Sequence, residues 1–584
     1  MEKLNLDFED KRYPMTPLKP RPFLGDLYGF DVETANKNKD FVLAVITHKD
    51  KSWTFNDREE LAEFFTTKRF RGSRIIATNL QFDFNQTFFG LPQAQDYALT
   101  WRGSDLIKAV KSYKRQSVTF LDTMNYAPFS VKRWGEILNT PKFNPPSFLG
   151  SHPKTLKDYK QLEDYCRQDS RVSEKTAEFL YESFTDLGGS PKNTIAGTSI
   201  NLFRSKFLKK TYFRHEIPTL LEQYKAYYGG RVEAIRRGRV RNHTVYDINS
   251  LYPSIMRDEE FPDPNRVRVT NYPRMDYINS FEGVSYCHIT APEMFRPYLP
   301  LRHDNKLIFP YGSFKAWYTH LELRKAMSIG YEVKPIKTHY YPLKNITPFK
   351  EFVDFLYSKR LEFQKNNDPM EIVVKLLLNS LYGKFGQKFT DRVEYQPESW
   401  LTTEKLKSIS FLERIGDYLR IKKDISRPAV FTFPIWSAYV TAHARTRLWD
   451  LATKYDACYY DTDSIMTKKS PPTSTELGAL KVEYNVKDGV IVRPKMYLID
   501  DGEVTKVKAK GVSRISNEMF ASVLVGETLE YPRFSKFREA LRRNLTPNEI
   551  INQVKHLNLE DSKRLWKDPF NADEWQESQP LFIS

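Results

Sequence analysis

Apolar positions along the chain fall in short blocks with two alternating periods. LGDLYGFDVE (24–33), LAVITH (43–48) and SRIIATN (73–79) read as buried strands ending at polar residues, and REELAEFFTT (58–67) has a helical period. Strands alternating with helices predict an α/β domain. SVKRWGEIL (130–138) and residues 156–184 read as helices, and the turn-rich DLGGSPKN (186–193) marks a boundary. Beyond it lie a glycine loop, YYGGR (227–231), and a strand, TVYDINS (244–250). Residues 259–350 suggest several short strands. A helical pair over 351–384 breaks at NNDP (366–369), and 391–428 reads as a β-hairpin insertion. Residues 436–455 read as a helix, CYYDTDSIMT (458–467) as strand, turn and strand, and the tail from about 515 as mostly helical.

At 584 residues the chain exceeds one core, so several domains are expected. A net charge of +17 points to a polyanionic partner, nucleic acid first. Aromatics at 14% among these cations suit single strands, because bases stack on rings while Lys and Arg follow phosphates. Three scattered cysteines exclude a disulfide framework or zinc cluster and suggest a reducing compartment. With no apolar leader and no long apolar run, the expectation is a soluble, intracellular protein without membrane contact.

Asp31 and Glu33 stand two apart on a strand and so share a face. Asp83 closes NLQFD, and Asp169 follows Tyr165 by one helical turn. Phosphodiester hydrolysis needs an activated water and a stabilised 3′-oxyanion. Two divalent ions do both, and hard cations take carboxylate oxygens. A second acidic set follows: Asp247 in DINSLYPS, and Asp461 and Asp463 in YYDTDS. In KLLLNSLYGK, Lys375, Asn379 and Tyr382 form one helical stripe with leucines on the other faces. A solvated amphipathic helix would have the same pattern, as would a helix facing a nascent base pair.

These strings, in this order, resemble the family B DNA polymerases with an N-terminal DEDD-type 3′→5′ exonuclease. The resemblance covers about residues 24 to 515. It implies an RNase H-like α/β exonuclease domain followed by an α+β right hand of palm, fingers and thumb with two insertions. The implied domains are 1–192 exonuclease, 193–258 first palm segment, 259–350 first insertion, 351–390 fingers, 391–428 second insertion, 429–520 second palm segment and 521–584 thumb.

By the same resemblance, Asp31, Glu33, Asp83 and Asp169 hold the exonuclease ions and Tyr165 orients the water. Thr34, Asn79, Phe82 and Ser130 hold the frayed strand, and Lys142 contacts the scissile phosphate; a solvated surface lysine is the alternative for Lys142. Asp247 and Asp463, with the carbonyl of Ile248, hold the polymerase ions, with Asp461 secondary. The cofactor is Mg²⁺ or Mn²⁺, two ions per site. Tyr252 lies under the deoxyribose, Lys375 binds triphosphate with Asn379 on its stripe, and Tyr382 stacks near the base. Arg360 and Lys365 are further triphosphate ligands, or else part of a charged solvent face. Lys495 and Tyr497 (K-x-Y) hold the primer end, Lys508 and Lys510 (K-x-K-G) lie on the duplex, and Tyr227, Gly229 and Gly230 (Y-x-G-G) meet the template.

Asp247 to Lys375 is 128 positions and Gly383 to Asp461 is 78. Both gaps resemble the two insertions of the protein-primed branch found in bacteriophages, other viruses and linear plasmids. That implies a monomeric enzyme using DNA, dNTPs and a terminal protein as primer, with strand displacement. The alternatives are a mobile-element polymerase initiating without a terminal protein and an exonuclease joined to a non-catalytic DNA-binding module.

Overall fold

The computed structural model describes residues 14–102, 105–388, 393–403, 410–422, 429–512 and 515–584. The first unit is a seven-stranded sheet. Its order is Lys51–Phe55, Asp40–His48, Leu27–Ala35, Arg74–Ala77, Ser117–Asp122, Asp105–Ser112, Ala98–Arg102. Leu27–Ala35 runs antiparallel to Asp40–His48 and parallel to Arg74–Ala77. The 31-residue helix Leu156–Asp186 starts at a capping box between Thr155 and Asp158 and packs across the two strands Leu27–Ala35 and Asp40–His48. Gly29 permits this close approach: a side-chain carbon there would overlap the Ser170 carbonyl oxygen.

The second unit is a nine-stranded sheet around the 13-residue strand Arg236–Ile248. That strand pairs with Ser464–Thr467 on one side and Leu480–Arg493 on the other, and Tyr459–Asp461 lies between Ser464–Thr467 and Val232–Ala234. Helices Lys350–Lys365 and Met370–Phe385 pack as a pair, breaking at the sequence position expected. One apolar core runs through Phe184, Phe203, Leu251, Leu377 and Trp436, so the α/β unit, the helical pair and the central sheet are fused.

Three sequence expectations are corrected. Residues 259–350 carry, besides the short strands expected (Arg268–Thr270, Leu301–His303 and Lys306–Ile308), three long ones, Glu282–Ala291, Tyr311–Thr319 and Glu332–Tyr341, which form the middle of a five-stranded antiparallel-rich sheet. The segment expected as a hairpin has three described strands, ordered Val393–Pro397, Tyr418–Lys422, Ser410–Ile415; residues 389–392, 404–409 and 423–428 lie outside the described residues. The tail is not mostly helical. Two short helices, Asn517–Leu524 and Phe537–Arg543, alternate with the paired strands Leu529–Phe534 and Ile550–Lys555, whose burial alternates with period two.

Gln576–Gln579 pairs with the central strand at Arg236 and Arg237, and Phe582–Ile583 adds in parallel to Tyr311–Thr319. Among the described residues no helix is long and apolar enough to cross a membrane.

Candidate active sites

Asp31 and Glu33 lie on Leu27–Ala35, a strand flanked on both sides. Asp83 sits on helix Leu80–Phe88, which begins at Asn79 in the left-handed region (φ 71°). The Asp122 carboxylate accepts from the amides of Asn79 (3.1 Å) and Leu80 (2.9 Å) and so fixes that entry. Asp83 accepts from the amide of Val32 at 3.0 Å, which locks it onto the strand between Asp31 and Glu33. Asp169 comes from the long helix, one turn after Tyr165. The four carboxylates therefore converge. Lys142 joins them, ion-paired to Asp169 with its ammonium 4.3 Å from the Tyr165 ring centroid, and not free in solvent.

The cluster holds more negative charge than burial tolerates. Burial, then repulsion from Asp169, Glu33 and Asp83, raises the Asp31 carboxyl well above its ordinary value. Burial, then Asp169, pushes Glu33 up to about 8. Burial raises Asp83 against the Val32 hydrogen bond, and raises Asp169 against Lys142. Burial disfavours charge on Lys142, yet Asp169 beside it raises its pKa. One Asp169 oxygen, Oδ1, is buried without a hydrogen-bond partner. An orphaned oxygen among crowded carboxylates suits divalent cations.

Cys166, which the motifs do not single out, has its sulfur within 4.8 Å of ligand atoms of Asp31 and Glu33. Its thiol donates to the Asp31 carbonyl (3.4 Å), and burial first, then these carboxylates, raises its pKa, which keeps it protonated. The strand-holding candidates are more scattered in their present contacts. Thr34 donates to Asn38 Oδ1 (2.8 Å), Phe82 lies 6.4 Å from the Phe534 ring, and Ser130 caps helix Val131–Ile137 by accepting from the Arg133 amide (3.3 Å).

In the central sheet, Asp247 ends the long strand opposite Ser464, and the Ile248 amide donates to the Asp463 carbonyl at 2.7 Å. Asp247, Asp461 and Asp463 line one cavity of about 380 Å³, together with Glu483, Lys495 and Lys508. The tight turn places Thr462 at φ 63°, with its amide donating to the Arg231 carbonyl (2.8 Å). Gly230 matters here, because a side-chain carbon on it would lie 2.9 Å from the Thr462 methyl. Arg445, buried against Glu322 (2.6 Å), holds the same loop by donating to the carbonyls of Tyr228 and Gly229 (2.9 and 3.0 Å).

Burial, then Asp247 and Asp461, pushes Asp463 up to about 6. Burial raises Asp247 against Lys481, 3.1 Å away. Asp461 instead accepts from Lys495 (2.8 and 3.0 Å), with Lys508 at 3.9 Å. Lys495 and Lys508 thus hold Asp461, while Asp463 is pushed up by its neighbour Asp247, so hard cations fit best between those two.

Tyr497 lines the same cavity with its ring edge-on to Tyr459, and Lys510 is exposed beside it. Tyr252 stacks on Tyr382, centroids 4.5 Å apart, and the charge of Lys375 reaches Asp247, so the helical stripe faces the carboxylates. Burial, then Asp463, pushes the Tyr252 phenol up to about 12. Asn379 donates to the Lys375 carbonyl (3.0 Å) and is exposed. Arg360 is committed to Glu371 (2.7 Å) and the Ser250 hydroxyl (3.1 Å), whereas Lys365 is exposed at the helix end. Tyr227 packs under Gly386, where a side-chain carbon would meet its ring.

Residues 151–409 match the family model described as DNA polymerase type B, organellar and viral. A probable DNA polymerase of Ascobolus immersus is 28% identical over 70% of this chain, which spans 37% of that relative's length. A DNA polymerase of Streptococcus phage Cp-1 is 25% identical over 85% of this chain and 89% of its own. The structure of Phi29 DNA polymerase complexed with primer-template DNA has the same fold, with a TM-score of 0.70 at 18% identity over 91% of this chain and 100% of that one. The architecture is thus that of the Phi29 DNA polymerase structure, an N-terminal α/β unit followed by palm, fingers and thumb, and the matched segment is similar to the type B DNA polymerases of organellar and viral kind.

Proposed function

We propose that the chain is a DNA-directed DNA polymerase with a 3′→5′ proofreading exonuclease, and that it starts synthesis on a terminal protein. The observation that carries the polymerase reading is the approach of Asp247 and Asp463 in one lysine-lined cavity, where Asp463 is held up at about 6 by burial and then by Asp247. Asp247, Asp463 and the Ile248 carbonyl would hold one pair of Mg²⁺ or Mn²⁺ ions, and Asp31, Glu33, Asp83 and Asp169 another. Such ions would supply Lewis acidity toward the attacking and leaving oxygens, with these carboxylates holding them in place.

The chain's own groups do the rest. Lys375, on the stripe that faces Asp247, binds the incoming triphosphate, and positioning with charge neutralisation carries phosphoryl transfer. Arg360, held by Glu371 and Ser250, braces the helical pair and reaches triphosphate only if that pairing opens. Tyr252, backed by Tyr382, closes the space under the sugar and excludes a 2′-hydroxyl. Lys495 and Lys508 leave Asp461 for primer phosphates, with Tyr497 beside them and Lys510 and Tyr227 to Gly230 along the duplex and template. In the other site, Tyr165 orients a water and Lys142 moves between Asp169 and the scissile phosphate. Thr34, Asn79, Phe82 and Ser130 hold the single strand.

Primer extension with dNTPs and Mg²⁺ tests synthesis, and shortening of a labelled single strand tests editing. Protein priming is tested by incubating the chain with its candidate terminal protein and labelled dNTP. A covalent protein–nucleotide adduct is expected; extension of DNA primers without any adduct would favour initiation without a terminal protein.

A further inference from the structure

The strand Tyr459–Asp461 has two faces. Tyr459 and Asp461 line the acidic cavity, and Tyr460 points to the back of the sheet. Its outer neighbour is Val232–Ala234, an edge strand of three residues, in which Glu233 stands opposite Tyr460 and Val232 opposite Asp461. Behind them lies a closed ionic cluster. Glu233 accepts from Arg231 Nε (2.7 Å) and the Tyr460 hydroxyl (2.9 Å) on one oxygen, and faces Arg564 Nη1 (3.4 Å) with the other. The side chains of Glu233 and Arg564 are both 0% exposed.

Arg564 belongs to the tail, over 100 positions beyond the DTD turn. Its remaining donors are used as well: Nε bonds the Ser578 hydroxyl (2.6 Å), and Nη2 the carbonyl of Phe295 (2.9 Å) in the first insertion. Ser578 in turn donates, by hydroxyl and amide, to the Ile235 carbonyl (2.7 and 3.0 Å), and Lys563 donates to the Val232 carbonyl (3.0 Å). The tail therefore pins the edge strand from outside. A buried ion pair adds little stability over well-packed apolar residues, but its directional bonds fix a geometry.

We propose that Arg564 is a positioning residue for nucleotidyl transfer, which sets, through Glu233 and Tyr460, the strand that presents Asp461 and Asp463. This rests on the polymerase reading of that site. A planar guanidinium is required, because no ammonium can reach Glu233, Ser578 and Phe295 together.

The test compares the full-length chain with Arg564→Met, Arg564→Lys and Glu233→Gln in single-nucleotide addition to a primer-template, with Mg²⁺ titrated and degradation of a single strand measured alongside. Arg564→Met is expected to lower kcat about 30-fold, to leave KM for dNTP within about threefold and to raise the Mg²⁺ concentration for half-maximal rate several-fold. Arg564→Lys should fall between wild type and Met, Glu233→Gln should resemble Met, and degradation should stay unchanged in all three. A wild-type kcat in Arg564→Lys and Glu233→Gln would overturn the assignment even if Arg564→Met did not fold. An equal loss of extension and degradation would also overturn it, since that reports a role across the fold. No extension by the wild-type chain would instead overturn the polymerase reading, and the inference with it.

Discussion

The two acidic sites use the same side chains in opposite surroundings. In the N-terminal site Asp83 and Asp169 are only 2% and 3% exposed, and Lys142, ion-paired to Asp169, is the cation that stands against this acidic cluster among the described residues. In the palm the carboxylates open onto a cavity, and Lys481, Lys495 and Lys508 already stand against Asp247 and Asp461. The first site thus stores repulsion that bound protons or cations relieve, whereas the second is partly neutralised before any ligand arrives. Under the proposed activities, a site that trims single strands would gain from a sealed floor, and one that takes a duplex and a triphosphate would have to stay open.

The largest expected effect separates the two sites outright. Asp463→Ala should reduce primer extension by roughly 10³-fold or more and spare degradation, and Asp31→Ala should do the reverse, since each deletes an ion ligand from one site. Paired assays on the same preparations check this; loss of both activities in either variant would break the comparison. Next, Tyr252→Ala should raise ribonucleotide incorporation about 100-fold by opening the space under the sugar, with no change in degradation. Competition between labelled rNTP and dNTP reads it, and unchanged discrimination would remove Tyr252 from that role.

Lys142→Met sharpens the contrast in cation supply. It should slow degradation about tenfold, leave extension intact and let the Asp169 pKa rise further, because its one opposing charge is gone. The smallest effect is thermodynamic. Glu33 is held at about 8, and Asp31 and Asp83 are also raised. A raised carboxyl keeps its proton in the fold after the unfolded chain has released it. Without ions the fold therefore loses stability as pH climbs from the ordinary carboxylate value toward 8. Mg²⁺, which binds the deprotonated form, should raise Tm by about 4 °C at pH 8.5 and by much less at pH 5.5. Differential scanning fluorimetry of wild type and Asp31→Ala reads this; an equal shift in both chains would place the ions elsewhere.

Much of both sites was legible in the sequence because their chemistry sits in contiguous strings. DVE and NLQFD each bring their acids to one strand or helix, where periodicity decides the face, and YYDTDS brings its acids to a strand end and the tight turn after it. The helical stripe of Lys375 and Tyr382 was legible for the same reason. What escaped depends on partners far along the chain. For Lys142 the sequence leaves a phosphate contact and a solvated lysine both open, and its pairing with Asp169 depends on helix Leu156–Asp186. Cys166 carries no motif, yet lies under Asp31 and Glu33. The tail strands Leu529–Phe534 and Ile550–Lys555 are short, half exposed and polar, so only their pairing with each other reveals them. Arg564 could not be connected with Glu233 from sequence, since nothing local indicates that the chain returns to the palm.

Gly29 has a consequence of its own. It carries no functional group, yet it lets helix Leu156–Asp186 settle directly on the strand of Asp31 and Glu33, and so sets how near Asp169 comes to them. Any side chain there must wedge helix from strand and widen the acidic cluster, whereas the palm carboxylates stand on another sheet and feel the shift only through the shared apolar core. Under the proposed activities, one substitution outside every acidic residue would yield a copying enzyme that no longer corrects itself, and its lineage would be recognised by a raised error rate and not by slower growth of product.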